Sequence, residues 1–243
     1  MRLCVLHFQS VGHIIAQPIN KLAMRLLILL IMISSAAAGQ TGRAFIPKGN
    51  VPYKKYLFYL HGQLITNVGD NAINNGAPEW GRYEYSTILD SLQNRGFNVI
   101  SERRMPDFSD SVYIDRLANQ IDTLLHNGVS VDSIIVIGAS AGWPIGLFAS
   151  SRLKNKQLHF VMMGGCWPET YKDFNGTQLY GRFLSIIEKS DKHGTCFQVF
   201  ENQPNITSHK ELTLNTGLSH GFFYKARKVW MDPVVAWLHG KEF

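Results

Sequence analysis

Residues 134–142 read Ile-Ile-Val-Ile-Gly-Ala-Ser-Ala-Gly, an apolar run followed by a Gly-x-Ser-x-Gly sequence. The run Ile134–Ile137 predicts a buried central strand, and the residues from Ala141 to Leu153 predict a helix. A serine at so sharp a turn has a strained backbone, which only small residues two positions away on either side allow. A glycine-rich turn without a catalytic role is the alternative, but the flanking strand and helix favour the first interpretation. We therefore predict a serine nucleophile, Ser140, with the backbone N–H of Ala141 facing a developing oxyanion.

The rest of the chain alternates between apolar strand-like runs and segments with helical spacing. This pattern predicts an α/β fold with a mostly parallel central sheet and helices on both faces. The expected strands are Tyr56–Leu60, Phe97–Ile100, Ile134–Ile137, Leu158–Met163, Phe183–Ile187 and Glu211–Leu214. The expected helices are Tyr85–Arg95, Val112–His126, Ala141–Leu153 and Phe222–Leu238, the last with a kink or break at Pro233. A long loop rich in Asn and Gly is expected from Gln63 to Gly81, and loops of that length are usually functional or mobile.

A serine nucleophile needs a base that is oriented by a third group. At this kind of turn the partners follow in the chain order Ser, acid, His. Asp191 comes just after the strand Phe183–Ile187, and His220 lies in the loop after the last strand. The three side chains are therefore expected at strand exits on one edge of the sheet, with Asp173 as the main rival for the acid.

Other titratable residues have weaker positions along the chain. His61 ends the first strand and is expected to shape the turn, whereas His193 and His209 are expected at the surface. Two further carboxylates are weaker candidates for the acid. Glu188 is still at the end of its strand, and Asp232 comes after His220 in the chain, whereas the acid is expected before the histidine.

Aromatic side chains in or next to the sheet-edge loops would form a modest apolar pocket. Simple core packing accounts for them equally well. These residues are Trp80, Trp143, Trp167 and Tyr171.

The 243 residues, 45% hydrophobic and 17% charged, predict one packed domain rather than a disordered or fibrous chain. Three cysteines without a CxxC pair, and no HExxH sequence, do not favour a metal site. The net charge is +6, but the basic residues come in short groups between acids, so no nucleic-acid partner is expected.

The amino-terminal residues 1–38 have the features of a secretory signal. Met24-Arg25 precedes an apolar run from Leu26 to Ile33, and small residues with Ala-x-Ala spacing predict cleavage after Ala38. The run is shorter than the roughly 20 residues that span a bilayer, so no stable membrane anchor is expected. Met24 begins a more compact signal than Met1 does, which suggests that residues 1–23 come from a start assigned too far upstream. The mature protein is then 39–243, one domain that is secreted or periplasmic.

Removal of the signal would discard Cys4 and leave Cys166 and Cys196 as a pair in an oxidising compartment. Both are expected near the exits of neighbouring strands, where parallel strands run about 4.8 Å apart. We predict a Cys166–Cys196 disulfide that holds the loop of Asp191 against His220. Two buried free thiols are the alternative.

The chain resembles the α/β-hydrolase family, and its secreted bacterial esterase-like members, over roughly residues 54–240. The matching stretches are Leu60-His61-Gly62, Gly138-Ala139-Ser140-Ala141-Gly142, Ser190-Asp191 and Ser219-His220-Gly221-Phe222.

This resemblance implies a Ser140/Asp191/His220 triad, with an oxyanion hole formed by the backbone N–H of Ala141 and a second N–H near Gln63. The His-Gly-Gly-Gly loop of one lipase and esterase branch is absent, as is a lid-sized insertion. Long-chain triglycerides are therefore not the expected substrates.

Together these features predict a serine hydrolase that cleaves a small to medium carboxylic ester through an acyl-enzyme on Ser140, without a cofactor. A small serine peptidase or a lactone hydrolase is the alternative among enzymes. A non-catalytic binding protein on the same scaffold is the alternative outside them. The sequence does not decide the natural substrate or the oligomeric state.

Overall fold

The computed structural model describes residues 55–107 and 109–242, without the side chains of residues 168–170. The described residues belong to one compact unit. The predicted signal segment 1–38 lies outside the described residues. Within the described part of the chain, none of the helices has the length and apolar character needed to span a bilayer.

The described residues form a six-stranded sheet in which every neighbouring pair is parallel. The spatial order of the strands is β2-β1-β3-β4-β5-β6. The strands are β1 (Lys55–Leu60), β2 (Phe97–Ile100), β3 (Ile134–Ala139), β4 (His159–Met163), β5 (Gly181–Glu188) and β6 (Ile206–Leu214).

Helices cover both faces of this sheet. They are α1 (Gln63–Val68), α2 (Asp70–Asn74), α3 (Tyr85–Gln93), α4 (Asp110–His126), α5 (Gly142–Leu153), α6 (Phe197–Phe200) and α7 (Lys228–Leu238). Short 3₁₀ helices occur at Val131–Ser133, Pro168–Phe174 and Ser219–Phe223.

Alternate residues of each strand point to opposite faces of the sheet, which gives the protein two cores. Ile135 and Ile137 of β3 pack with α3 and α7 on one face, and Ile134 and Val136 pack with α4 and α5 on the other. All six residues of β3 are buried. A strand that is covered on both faces has a continuous apolar sequence, which is why β3 could be recognised from the sequence. The predicted fold class is confirmed.

The strand expected at Glu211–Leu214 begins five residues earlier, as β6 (Ile206–Leu214). Two further predicted elements differ from the structure. The loop expected from Gln63 to Gly81 contains α1 and α2, because Ile65 and Ala72 are buried against the core and the turn at Gly69 (φ 52°) separates the two helices. The helix expected from Phe222 instead begins at Lys228, after the 3₁₀ helix Ser219–Phe223, and it continues through Pro233 to Leu238 without a break. The first difference arises from tertiary packing that outweighs the local propensity of an Asn- and Gly-rich segment.

Because the strands are parallel, their carboxyl ends lie along one edge of the sheet. The segments that follow β1, β3, β5 and β6 carry Gln63, Ser140, Asp191 and His220 respectively. The sheet topology therefore brings residues that are up to 157 positions apart to one place.

Candidate active site

Ser140 lies at the turn between β3 and α5, where its φ of 50° is in the left-handed region that L residues rarely adopt. Its N–H donates a hydrogen bond to the Met163 carbonyl at 2.8 Å. A Cβ on Gly138 would lie 2.6 Å from the Gly142 carbonyl oxygen, and a Cβ on Gly142 would lie 2.2 Å from the Leu60 carbonyl oxygen. Both glycines are therefore required by close backbone approach, as the Gly-x-Ser-x-Gly pattern predicts.

The structure brings Ser140, His220 and Asp191 into one chain of hydrogen bonds. His220 Nε2 is 2.9 Å from Ser140 Oγ, and His220 Nδ1 is 2.7 Å from Asp191 Oδ2. An ionised carboxylate only accepts hydrogen bonds, so Nδ1 carries the imidazole proton and Nε2 is left to accept the Ser140 hydroxyl. All three side chains are buried. Asp173, the rival acid, is exposed in the 3₁₀ helix Pro168–Phe174 and does not take this place.

Glu188, the last residue of β5, connects the loop that holds Asp191 to the loop that holds His220. Its buried carboxylate accepts hydrogen bonds from Ser190 Oγ (3.1 Å), Thr216 Oγ1 (2.7 Å), and the backbone N–H groups of Ser190, Thr216 and Gly217. Burial acts to raise the pKa of Glu188, but the hydrogen bonds from Thr216 and Ser190 outweigh it and hold this pKa below its ordinary value.

The His220 loop has a second connection to the Asp191 loop. Ser219, with a φ of 50°, donates its N–H to Ser190 Oγ at 3.0 Å. Sequence reasoning considered Glu188 only as a rival acid and missed this bracing role. A carboxylate at the end of a strand, two residues before Ser190, was the only signal for it in the sequence.

Two backbone N–H groups lie where helices begin beside Ser140. Ala141 is the residue before α5, and Gln63 is the first residue of α1. The first N–H groups of a helix have no partner within the helix, and they carry its positive dipole end. A Cβ on Gly62 would lie only 3.4 Å from the Ser140 Cβ, so the backbone before Gln63 passes close to the serine. This arrangement suits an oxyanion.

His193 was expected at the surface, and that expectation is wrong. Its side chain is 12% exposed, and its ring centroid lies 4.8 Å from that of His220. Its Nε2 accepts a hydrogen bond from Trp167 Nε1 at 2.6 Å and lies 3.7 Å from Asp191 Oδ1. The tight turn after Asp191 folds His193 back onto the site, which the spacing along the chain does not reveal. Asp191, His193 and His220 each offer one atom within 4.8 Å of the others, a spacing compatible with a metal ion.

His61 and His209, the two other histidines considered from the sequence, contact other parts of the protein. His61 is buried and accepts the Arg104 N–H on Nε2 at 2.9 Å, so it shapes the turn after β1 as expected. Burial, followed by the charge of Arg104, holds the pKa of His61 well below its ordinary value. His209 was expected at the surface but is half-buried in β6, where its ring packs on Phe200 with centroids 4.4 Å apart.

Ser140 opens into a cavity of about 470 Å³. Its wall combines apolar surface from Leu64, Trp80 and Tyr224 with polar residues that include Glu79 and Lys192. The Trp80 ring centroid is 5.4 Å from that of His220.

The three other aromatic residues expected to form the pocket have different positions. Trp143 is fully buried beside Phe174, so it belongs to the core and not to a pocket. Tyr171 lines a different cavity and donates its hydroxyl to the Thr195 carbonyl. Trp167 contacts the site through His193.

Cys166 and Cys196 form a disulfide, with Cα atoms 4.9 Å apart, which confirms the predicted pairing. Cys166 follows β4, and Cys196 directly precedes α6. Both residues are fully buried. The disulfide therefore joins the segment after Asp191 to the neighbouring strand exit.

No protein-family model and no curated protein matches the sequence. Solved structures do match the fold. A serine hydrolase without a lid from Xanthomonas campestris is 16% identical, with a TM-score of 0.52 over 81% of this chain and 85% of that chain. A protein described among the carboxylesterases of the thaumarchaeon Nitrososphaera gargenis is 12% identical, with a TM-score of 0.52 over 84% of this chain and 96% of that chain. Dienelactone hydrolase from Anabaena variabilis is 15% identical, with a TM-score of 0.50 over 83% of this chain and 92% of that chain. These similarities, with the parallel sheet, show that the chain has the α/β-hydrolase fold.

Proposed function

We propose that this chain is a serine hydrolase that cleaves a small to medium carboxylic ester through an acyl-enzyme on Ser140. The observation that carries the proposal is the hydrogen-bonded chain from Ser140 Oγ through His220 to Asp191. Ser140, at one end of these hydrogen bonds, lines an open cavity that a substrate can enter. A strained serine, a base and an acid at three separate strand exits are the parts that acyl transfer requires.

In the first half of the reaction, Ser140 Oγ attacks the ester carbonyl carbon while His220 Nε2 accepts the hydroxyl proton. Asp191 holds the imidazole so that Nε2 faces the serine, and it stabilises the imidazolium that forms. The backbone N–H groups of Ala141 and Gln63 donate hydrogen bonds to the oxyanion. The C–O bond then breaks, His220 returns its proton to the departing alcohol, and the acyl group remains on Ser140.

In the second half, water takes the place of the alcohol. His220 accepts a proton from this water as its oxygen attacks the acyl carbon, and the proton then passes to Ser140 Oγ as the acyl–oxygen bond breaks. The products are a carboxylic acid and the free enzyme. Because protein groups supply every proton transfer in this scheme, it requires no cofactor.

The cavity supports a substrate of small to medium size. Its volume of about 470 Å³ lies in the range of small-molecule sites, and Leu64, Trp80 and Tyr224 offer apolar surface for an acyl or alcohol group. The descriptions of two proteins with a similar fold, a serine hydrolase without a lid and a carboxylesterase, agree with this proposal.

Export to a secreted or periplasmic location belongs to the same proposal. The signal features of residues 1–38 support it, and so does the Cys166–Cys196 disulfide, because disulfides persist mainly in oxidising compartments. Amino-terminal sequencing of protein recovered from an exporting host tests it. A first residue near Gly39 is the expected result, and an intact amino terminus would contradict it.

A serine-directed fluorophosphonate tests the catalytic proposal. It should label the folded protein at Ser140, as shown by peptide mapping, and should not label heat-unfolded protein. Short and medium acyl esters should be cleaved faster than lactones and aminoacyl amides. Ser140→Ala should lower the rate by about 10⁴-fold or more. Labelling at another serine would refute the mechanism. If the protein is not labelled and cleaves none of the substrates, it is a binding protein and not a hydrolase.

A further inference from the structure

The hydroxyl of Tyr83 contacts the backbone that leads into the candidate oxyanion hole. Tyr83 lies in the segment between α2 and α3 and is fully buried. A buried tyrosine hydroxyl usually has a hydrogen-bond partner. This one accepts the Gly62 N–H at 3.2 Å and shares a second hydrogen bond with the Tyr59 hydroxyl at 2.9 Å. The acyl-transfer scheme above does not use Tyr83, so its contact with Gly62 has no role in that scheme.

The carbonyl of Gly62 has a side-chain partner as well. His61 Nε2 accepts the Arg104 N–H at 2.9 Å, so the proton of this imidazole is on Nδ1. Nδ1 then donates to the Gly62 carbonyl oxygen at 2.9 Å. The N–H and the C=O of Gly62 are therefore both held by buried side chains, those of Tyr83 and His61.

These two hydrogen bonds determine the direction of the next N–H group. The Gly62 carbonyl and the Gln63 N–H belong to one planar trans peptide unit, in which the two groups point in opposite directions. The orientation of that unit depends on the φ and ψ of Gly62, which glycine restricts less than any other residue. Gly62 also lies beside the nucleophile, since a Cβ on it would contact the Ser140 Cβ at 3.4 Å. The side chains that hold Gly62 therefore orient the Gln63 N–H next to Ser140.

The ring of Tyr83 makes separate contacts, with the loop that carries His220. Its centroid lies 4.5 Å from that of Tyr224 and 6.1 Å from that of Phe223. The Phe223 ring in turn lies 5.1 Å from the His220 ring. A phenylalanine at position 83 would keep these ring contacts and lose only the hydroxyl. Tyr83→Phe therefore separates the hydrogen bond to Gly62 from the packing of the His220 loop.

We propose that Tyr83 is a positioning residue of the oxyanion hole, whose hydroxyl holds Gly62 so that the Gln63 N–H faces the oxyanion. This inference rests on the proposed hydrolase function. The oxyanion forms only after the attack on the carbonyl carbon, so the hydroxyl of Tyr83 acts on the transition state and not on substrate binding. Both halves of the reaction pass through such an oxyanion. Loss of the hydroxyl should therefore lower kcat, whichever half limits the rate, and leave KM unchanged.

The first test is the hydrolysis of 4-nitrophenyl butanoate by Tyr83→Phe. Loss of a whole oxyanion donor costs about 10²–10³-fold in kcat, so a donor that is present but no longer held should cost about 10-fold. KM should stay within about 2-fold of wild type. Tyr85→Phe is the matched control, because it removes another buried hydroxyl, which is hydrogen-bonded to Ser101 Oγ at 2.6 Å, and it should leave kcat unchanged. Equal kcat values for the two variants would overturn the inference.

A transition-state analogue provides a readout that loss of packing alone would not change. Ser140 Oγ adds to the carbonyl carbon of an alkyl trifluoromethyl ketone, His220 accepts the hydroxyl proton, and the former carbonyl oxygen becomes an oxyanion. The inhibition constant of this ketone should rise in Tyr83→Phe by the factor by which kcat/KM falls, about 10-fold. An unchanged inhibition constant would refute a role in the oxyanion hole.

Amide hydrogen exchange tests the same contacts in the wild-type protein. The Gly62 N–H should exchange slowly, because Tyr83 accepts it, and it should exchange faster in Tyr83→Phe. The Gln63 N–H should become protected when the trifluoromethyl ketone binds. A Gly62 N–H that exchanges freely in the wild type, or a Gln63 N–H that the ketone does not protect, would overturn the inference even if Tyr83→Phe failed to fold.

The outcomes distinguish this inference from the proposed function. If the wild type cleaves no ester and is not labelled by the fluorophosphonate, the hydrolase proposal fails, and the role of Tyr83 fails with it. If the wild type cleaves esters and Tyr83→Phe has a kcat within about 2-fold of wild type, only the role of Tyr83 is refuted.

Discussion

Replacement of Glu188 by glutamine tests whether one buried carboxylate holds two loops of the candidate active site in register. The carboxylate accepts hydrogen bonds from Ser190, Thr216 and Gly217, and these residues belong to the loops that carry Asp191 and His220. Glu188→Gln has nearly the same shape but removes the charge. It also replaces one acceptor oxygen with an NH₂ group that faces existing donors.

The expected magnitude follows from these contacts. A hydrogen bond to a charged group contributes about 1.5–3 kcal/mol, so Glu188→Gln should lower the free energy of unfolding by about 2 kcal/mol. Glu188→Ala leaves several buried donors unpaired and should cost more. If the loops shift by about 1 Å, the rate of ester cleavage should fall by about 10²-fold, mainly in kcat.

The pH dependence provides a readout that simple loss of packing would not produce. The hydrogen bonds hold the pKa of Glu188 below its ordinary value of 4.5. A carboxyl group with a lowered pKa in the folded state stabilises the protein above its unfolded-state pKa, and this contribution is lost as the pH falls. The stability difference between wild type and Glu188→Gln should therefore be constant from about pH 6 to 8 and should shrink below about pH 4.5.

Urea unfolding followed by tryptophan fluorescence, from pH 3.5 to pH 8, measures this difference. Glu201→Gln, which alters an exposed carboxylate after α6, is the matched control and should have little effect. The reasoning is refuted if Glu188→Gln unfolds within about 0.5 kcal/mol of wild type, the range of ordinary surface substitutions. A stability difference that does not change across the pH range would refute the role of the charge.

Three further outcomes are expected. Asp191→Asn should lower kcat by about 10⁴-fold, whereas Asp173→Asn, an exposed position, should leave kcat near its normal value; the reverse result would move the acid to Asp173. Replacing Cys166 and Cys196 together by alanine should lower the free energy of unfolding by about 3–4 kcal/mol, from the entropy of a 30-residue loop, and should lower kcat as the Asp191 loop loosens; unchanged melting and activity would contradict that role. Gly142→Ala should destabilise the protein by more than about 2 kcal/mol, because its Cβ would meet the Leu60 carbonyl oxygen at 2.2 Å, and a normal thermal melt would refute the proposed close approach.

The strand-turn-helix at Ser140 could be predicted because its physical requirements are local. The apolar run of β3 reflects burial on both faces, and Gly138 and Gly142 reflect backbone atoms that approach within 3 Å of their Cβ positions. Asp191 and His220 could be placed for a different reason. In a parallel sheet every strand ends at the same edge, so position along the chain already indicates position in space.

The predictions that placed His193 and His209 at the surface were wrong, because position along the chain does not determine the burial of a side chain. His193 is two residues after Asp191, and only the path of the turn decides whether its ring faces water or His220. His209 follows a polar stretch, yet it lies in β6 because that strand pairs along its length with β5. Burial of a polar side chain depends on its neighbours in space, which no local pattern encodes.

The sequence by itself determined the parallel α/β fold, the strained serine and the chain order of its partners, because hydrophobic periodicity, small residues and strand order are properties of the chain. It also supplied the pairing of Cys166 with Cys196. Only the tertiary structure decided that Trp143 belongs to the core, that Glu188 braces two loops, and that the buried Arg104 side chain donates to the His61 carbonyl. These features depend on groups that come together from distant positions, and their energies arise from burial and hydrogen bonding that exist only once the chain has folded.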